Sequence, residues 1–309
     1  VYLYYYFFQI DIDMTWQLTL SLFALFTWLG IKEKDKHSAE DELIHTIKHC
    51  VLFIQREEFE KAEQLLHVAL RQAQQIHHQL GITYVYDVMA NLALQREHLD
   101  KAKSLFIAVT QRIMADGAKE DDSRVVHLSA KLARVSHLQK EYSTAQLGYE
   151  WCLEKMTKAV KDDPTDGNIK LLALTEDWYG RLFIDCNRPE DGLRFLISSL
   201  GRMKEVSDVE KEHLIVQLND IGTVCDSLGK IDDSIQYFNE AIEMAKTLEN
   251  TMEDLGTMYV NLGRAYIKKN VLDTARKYCG HAWKLGVTQK NTEVKKEAEL
   301  CINEIKNLC

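Results

Sequence analysis

Proline and glycine are scarce in this chain of 309 residues. It has two prolines, Pro164 and Pro189, and 14 glycines, whereas average usage predicts about 15 and about 22. Both residues disfavour helices, and hydrophobic residues still make up 46% of the chain. This composition indicates an almost entirely helical protein and argues against a β-sandwich, a β-barrel or a disordered chain.

The chain also lacks an excess of positive charge. It has 38 Lys and Arg against 47 Asp and Glu, which gives a formal net charge of −9. An acidic surface repels the phosphate backbone of nucleic acids, so we expect no nucleic-acid partner.

Motifs of catalysis and metal binding are missing as well. No glycine-rich phosphate loop, nucleophile elbow, H-E-x-x-H or C-x-x-C occurs. His45 and His49 have the spacing of two metal ligands on one helix, but no third ligand accompanies them, so we favour ordinary core or surface histidines. The seven cysteines lie mostly in apolar helical patterns and are expected to be small buried residues without disulfides. We therefore predict no enzymatic activity, no metal and no cofactor.

The N-terminal segment 1–32 is apolar, and its stretch from Met14 to Ile31 has no charged side chain. Eighteen helical residues would rise about 27 Å, close to the hydrocarbon thickness of a bilayer. We predict membrane association through residues 14–31, with an amphipathic or partner-docked helix as the alternative. Residues 33–42 are interpreted as a charged linker. The first arginine is Arg56, so no arginine-rich import signal is readable.

A pattern of small and large residues recurs from residue 43 onward. In each copy a small residue precedes a larger one by four positions, and a further small residue stands about twelve positions upstream. Small residues at these places let two antiparallel helices approach closely. The small and large pairs are Ala62 and Leu66, Ala102 and Phe106, Ala145 and Tyr149, Gly192 and Leu196, Ser234 and Phe238, and Ala275 and Cys279. The upstream residues are Cys50, Ala90, Ala133, Gly180, Gly222 and Gly263.

This arrangement resembles the tetratricopeptide pattern, with upstream small residues 40 to 47 positions apart instead of about 34. It predicts an all-α fold, a right-handed α-solenoid of about six long helical hairpins over residues 43–290. Residues 291–309 are predicted to form a C-terminal capping helix with a polar outer face.

In such arrays the first helix of each hairpin lines an inner groove. Polar side chains at the groove positions can recognise a partner through hydrogen bonds and paired charges, or they are simply solvated. We predict that the partner-binding groove is lined by Asp87, Asn91, Lys131, Arg134, Asp177, Arg181, Asn219, Asn261 and Arg264. Its arginines are expected to be exposed.

Three stretches are more specific than a generic repeat: Ile82 to Ala93, Lys61 to Leu70, and Gly148 to Cys152. They resemble the family of tetratricopeptide repeat protein 19, a factor of the mitochondrial inner membrane. The resemblance implies a non-enzymatic partner of respiratory complex III that supports its assembly and maintenance, including clearance of fragments of the Rieske protein. It implies no catalytic residues. The missing import signal leaves the location open. The sequence does not show which complex III subunit is contacted or which side of the membrane the repeats face.

The competing interpretation is a soluble cargo or complex adaptor like the kinesin light chains, whose repeats have a similar length. Those proteins carry a coiled coil before the repeats, and no heptads are sustained before Leu43.

Overall fold

The computed structural model describes residues 38–248 and 252–308. This part of the chain consists of helices joined by short turns and contains no β-strand. The helices are α1 (Ala39–Gln55), α2 (Phe59–Gln75), α3 (Gln79–Gln95), α4 (Leu99–Ala115), α5 (Ser123–Leu138), α6 (Tyr142–Asp162), α7 (Asp166–Asp185), α8 (Pro189–Glu205), α9 (Lys211–Ser227), α10 (Ile231–Ala245), α11 (Leu255–Lys268), α12 (Leu272–Thr288) and α13 (Thr292–Leu308). The chain divides into two compact units, the first ending at Leu171 and the second beginning at Leu172.

The described part of the first unit stacks three hairpins. Helix α1 packs on α2, α3 on α4, and α5 on α6, and each hairpin also contacts the next one. The predicted pairs Ala62 and Leu66, Ala102 and Phe106, and Ala145 and Tyr149 are fully buried. The periodic pattern therefore marks the interface between the two helices of each hairpin.

The second unit repeats this design, with α9 packed on α10, α11 on α12, and α13 on α12. Its small residues permit close helix contacts. A Cβ added at Gly222 would lie 2.6 Å from the ring of Phe238, and one added at Gly192 would lie 2.6 Å from the carbonyl oxygen of Gly180. The predicted all-α solenoid of tetratricopeptide-type hairpins is confirmed by these helices and their packing.

Most of the tight turns between helices contain a residue with positive φ that is not glycine. Glu97 has φ 58° and Lys140 has φ 63°, and glycine takes this role at Gly229 with φ 73°. A residue in the left-handed conformation after a helix donates its backbone N–H to one of the last carbonyl groups of that helix. The N–H of Lys140 donates in this way to the carbonyl oxygen of His137 at 2.9 Å. The turns therefore need few glycines. A chain poor in glycine can for this reason contain many tight turns between helices.

The first helix begins earlier than the sequence indicated. Ser38 and Asp41 form a capping box, in which the hydroxyl of Ser38 accepts from the amide of Asp41, and the carboxylate of Asp41 accepts from the amide of Ser38. This cap satisfies free amide groups at the helix start. Helix α1 therefore starts at Ala39, inside the segment 33–42 that we interpreted as a linker.

The cysteines differ from the expectation in two places, the first of which is Cys186, whose side chain is exposed. Cys50, Cys152 and Cys225 are buried and free, and burial raises the pKa of the Cys152 thiol to about 12. Cys279 on α12 and Cys301 on α13, however, are joined in a disulfide. The expectation of no disulfide is wrong here, because α12 and α13 cross closely enough to bring the two sulfur atoms together.

The predicted membrane segment, residues 14–31, lies outside the described residues. Among the helices of the described ranges, none is long and apolar enough to cross a bilayer.

Candidate functional site

In the first unit, two of the predicted groove residues pair with each other. The Nζ atom of Lys131 on α5 donates to Oδ1 of Asn91 on α3 at 2.9 Å and lies 5.5 Å from the ring centroid of Phe106. Lys131 is only 1% exposed, and Asn91 is also buried. A buried ammonium group needs such contacts because desolvation penalises its charge. This pair therefore joins consecutive first helices and is closed to a partner.

The other two groove residues of the first unit remain half-buried. Asp87 on α3 has one buried carboxylate oxygen, Oδ1, that makes no hydrogen bond among the described residues. Arg134 on α5 donates from Nη1 to Nδ1 of His137 at 2.9 Å. These two side chains keep part of their surface in solvent.

In the second unit, Arg181 on α7 binds two carboxylates. Its Nε donates to Oδ2 of Asp177 at 2.7 Å on the same helix, and its Nη2 donates to Oδ2 of Asp220 on α9 at 2.8 Å. The Arg181 side chain is 18% exposed and that of Asp177 is fully buried. The expectation that the groove arginines are exposed is therefore wrong for Arg181, because its charge is needed between two buried carboxylates.

The carboxyl group of Asp220 has a strongly shifted pKa. Burial raises it to about 6, the charges of Asp177 and Asp254 also raise it, and Arg181 lowers it. Arg181 thus offsets only part of the desolvation of Asp220. This cluster is a structural joint between α7 and α9 that is sensitive to protonation.

The remaining groove residues of the second unit lie on α9 and α11. Nδ2 of Asn261 donates to Oδ1 of Asn219 at 3.1 Å, and Nη2 of Arg264 donates to Oε2 of Glu297 on α13 at 2.6 Å. The groove residues Asn219, Asn261 and Arg264 are half-buried. The side-chain amide of Asn219 still has hydrogens to donate, and that of Asn261 still has an oxygen to accept. A partner could form hydrogen bonds with either group.

The nine predicted groove residues thus fall into two groups. Asn91, Lys131 and Asp177 are buried and hold helices together. The others are half-buried, and we call them the polar face of their unit: Asp87 and Arg134 in the first unit, and Arg181, Asn219, Asn261 and Arg264 in the second. Asp220 and Glu297, the partners of Arg181 and Arg264, were not predicted from the sequence. An acidic residue on the next first helix, or on the final helix, was the signal that could have indicated each of them.

The groups of the site supply hydrogen bonds and charges. In the described ranges, no group of three or more His, Cys, Asp or Glu side chains could hold a metal ion. His45 and His49 face each other with Nε2 atoms 3.3 Å apart.

Comparisons with known proteins agree with this description. The sequence model of the tetratricopeptide repeat matches residues 218–248. BtubC from P. vanneervenii has the same fold, with a TM-score of 0.58 at 16% identity over 81% of this chain and 92% of that protein.

Two relatives are similar along most of the sequence. The mitochondrial tetratricopeptide repeat protein 19 homolog of Drosophila melanogaster is 35% identical over 93% of this chain and 76% of its own length. The human mitochondrial tetratricopeptide repeat protein 19 is 29% identical over 71% of this chain and 60% of its own length. The chain therefore belongs to the tetratricopeptide repeat protein 19 family.

Proposed function

We propose that this chain is a mitochondrial scaffold that supports assembly and maintenance of respiratory complex III at the inner membrane, including clearance of Rieske protein fragments. Its relatives are named as mitochondrial proteins, and the complex III role is the one that the family resemblance implies. Helical-hairpin repeats commonly bind proteins along their first helices. The chain would act by binding partners, without catalysing a reaction.

The observation that best supports a binding role is the polar face of the second unit. Asn219, Asn261 and Arg264 are held by hydrogen bonds to neighbouring helices and are still half-buried rather than enclosed. Side chains that are already ordered lose little conformational entropy on binding. Asparagine amides can bond a peptide backbone, and an arginine can pair with a partner carboxylate.

Affinity purification of the tagged full chain from mitochondria, followed by quantitative mass spectrometry, tests this function. We expect complex III subunits, the Rieske protein among them, to be enriched over a purification with an unrelated repeat protein. Enrichment of motor or cargo proteins without complex III would support the kinesin-light-chain-like adaptor instead.

A further inference from the structure

The last three helices have a charge opposite to that of the whole chain. Residues 255–308 contain ten Lys and Arg against five Asp and Glu, a net charge of +5, so the remainder of the chain carries −14. A charge asymmetry of this kind directs one part of a protein toward an anionic partner.

Three of these ten basic residues lie on the exposed side of α12. Arg276, Lys277 and Lys284 are exposed there. Arg276 lies 3.9 Å from the carboxylate of Asp273, a loose contact between two exposed groups. Neither Lys277 nor Lys284 forms an ion pair or hydrogen bond with any described residue. Two lysines are thus left with their charges unneutralised on one helix.

Two apolar side chains lie among these cations. Trp283 is 38% exposed and Val287 is 46% exposed. The indole Nε1 of Trp283 donates to Oε1 of Glu299 on α13 at 3.1 Å, which holds the ring at the surface. Because residues four apart share one side of a helix, Trp283 and Val287 form one apolar strip, with Lys284 beside it.

This side of α12 is a crest rather than a groove. A Cβ added at Gly280, between Arg276 and Lys284, would meet no atom within 4 Å. The opposite side of α12 is buried and consists of small residues, namely Ala275, Cys279, Ala282 and Gly286. An open crest suits a broad, flat partner better than a single extended peptide, which needs walls to hold it.

The surrounding charges give this crest a positive field. Burial lowers the pKa of the neighbouring His281, and the charges of Lys277, Lys284 and Lys246 lower it further. The acidic groups nearby are Asp273, Glu243 and Glu299. Glu243 is ion-paired with Lys246, and Glu299 accepts the hydrogen bond of Trp283, so Lys277 and Lys284 carry the uncompensated charge.

We propose that the α12 crest, formed by Arg276, Lys277, Trp283, Lys284 and Val287, docks on the anionic lipid headgroups of a membrane surface. Tryptophan rings are favoured at the boundary between headgroups and acyl chains. Each Lys or Arg close to an anionic leaflet strengthens binding by about five-fold. The contact is peripheral, and it stands independently of the proposed complex III role.

Residue-specific lysine labelling tests this contact in the full chain. The protein is mixed with vesicles of phosphatidylcholine, or with vesicles of equal parts phosphatidylcholine and phosphatidylglycerol, and acetylation of each lysine is measured by mass spectrometry. We expect Lys277 and Lys284 to be protected several-fold only by the anionic vesicles. Protection should disappear in about 0.5 M NaCl, where the Debye length is roughly 4 Å. Lys158 and Lys161, exposed on α6 in the first unit, serve as internal controls.

A matched pair of variants separates the crest from net charge. Lys277→Glu with Lys284→Glu should weaken the part of vesicle binding that depends on anionic lipid by at least about 25-fold, since two cations are lost and two anions are gained. Lys158→Glu with Lys161→Glu changes the net charge equally and should weaken it far less. Equal labelling of Lys277 and Lys284 with both vesicle types would overturn the proposal. Protection by soluble polyglutamate but not by anionic vesicles would also overturn it and assign the crest to an acidic protein.

Discussion

Arg181 on α7 and Asp220 on α9 are joined by a hydrogen bond of 2.8 Å from Nη2 to Oδ2, and this contact links two consecutive first helices. The same guanidinium group binds Asp177 through Nε. A single arginine therefore compensates two buried carboxylates. The joint serves the stacking of hairpins in the second unit, although Arg181 occupies a position where a partner-binding residue was expected.

Replacing Arg181 by Ala should destabilise the protein strongly. Removing one member of a buried ion pair typically costs about 3–5 kcal/mol, because the remaining charges stay buried without compensation. Arg264→Ala is the matched control, since the side chains of Arg264 and Glu297 are 41% and 39% exposed, and ion pairs in contact with solvent contribute about 0–1 kcal/mol. Free energies of unfolding in urea should differ accordingly. Equal losses in the two variants would contradict the structural role of Arg181.

The stability of the protein should depend on pH through Asp220. Its pKa is raised from 3.8 to about 6 in the folded state, so the folded protein holds the proton more tightly than the unfolded chain does. This contribution to stability is fully present below the unfolded pKa and is lost as the pH rises through about 6. This difference in pKa corresponds to at most about 3 kcal/mol.

Asp220→Asn carries no ionisable group there and should not show that loss. The unfolding free energy of the variant, relative to wild type, should therefore rise between about pH 4 and pH 7, by up to about 3 kcal/mol. Urea unfolding at several pH values measures the difference. Parallel curves for the two proteins would show that Asp220 does not titrate in this window.

Gly192→Ala and Gly280→Ala should have opposite effects on stability. At Gly192, a Cβ would lie 2.6 Å from the carbonyl oxygen of Gly180 and 2.7 Å from Ile184, whereas at Gly280 it meets nothing within 4 Å. Overpacking costs about 1–3 kcal/mol, and alanine gains about 1 kcal/mol in helix propensity over glycine. Thermal unfolding should show a lower melting temperature for Gly192→Ala and a slightly higher one for Gly280→Ala. A destabilised Gly280→Ala protein would contradict the open surface at the crest.

Lys140→Gly should stabilise the turn between α5 and α6. Lys140 has φ 63°, and left-handed backbone costs a residue with a Cβ roughly 1–2 kcal/mol. Glycine avoids most of this cost but loses more entropy on folding, so a net gain of about 0.5–1 kcal/mol is expected. The converse variant, Gly229→Ala at φ 73°, should lose a similar amount. Chemical denaturation of both variants measures the two changes, and a destabilised Lys140→Gly protein would indicate that the lysine side chain stabilises the turn.

The repeat architecture was predictable because each hairpin obeys a local rule. Ala102, Phe106, Ser234 and Phe238 are buried where the small and large pattern placed them. That pattern reports only contacts within a hairpin. It does not show which polar residues pair with the next repeat, so the burial of Lys131 against Asn91 was not predicted.

Other features depend on details that composition and periodicity do not contain. Glycine adopts left-handed backbone most readily, but Glu97 and Lys140 take this conformation where the adjoining helices fix the turn. Cys279 and Cys301 lie 22 positions apart on two different helices, and only the close crossing of those helices brings the sulfur atoms together. The α12 crest was not predicted either, since exposed cations and an exposed tryptophan have no distinctive spacing.

Complex III recovery by a variant of the polar face is the most direct test of the proposed scaffold role. Asn219→Ala combined with Arg264→Ala removes two half-buried side chains without touching the Arg181 joint. Lys158→Ala with Lys161→Ala is the control outside this face. All three proteins should melt at similar temperatures and be expressed at equal levels in mitochondria. We expect the polar-face variant to recover at least about ten-fold less complex III, equivalent to about 1.4 kcal/mol of binding free energy, while the control matches wild type. Undiminished recovery by the polar-face variant would contradict the account and place the partner elsewhere on the protein.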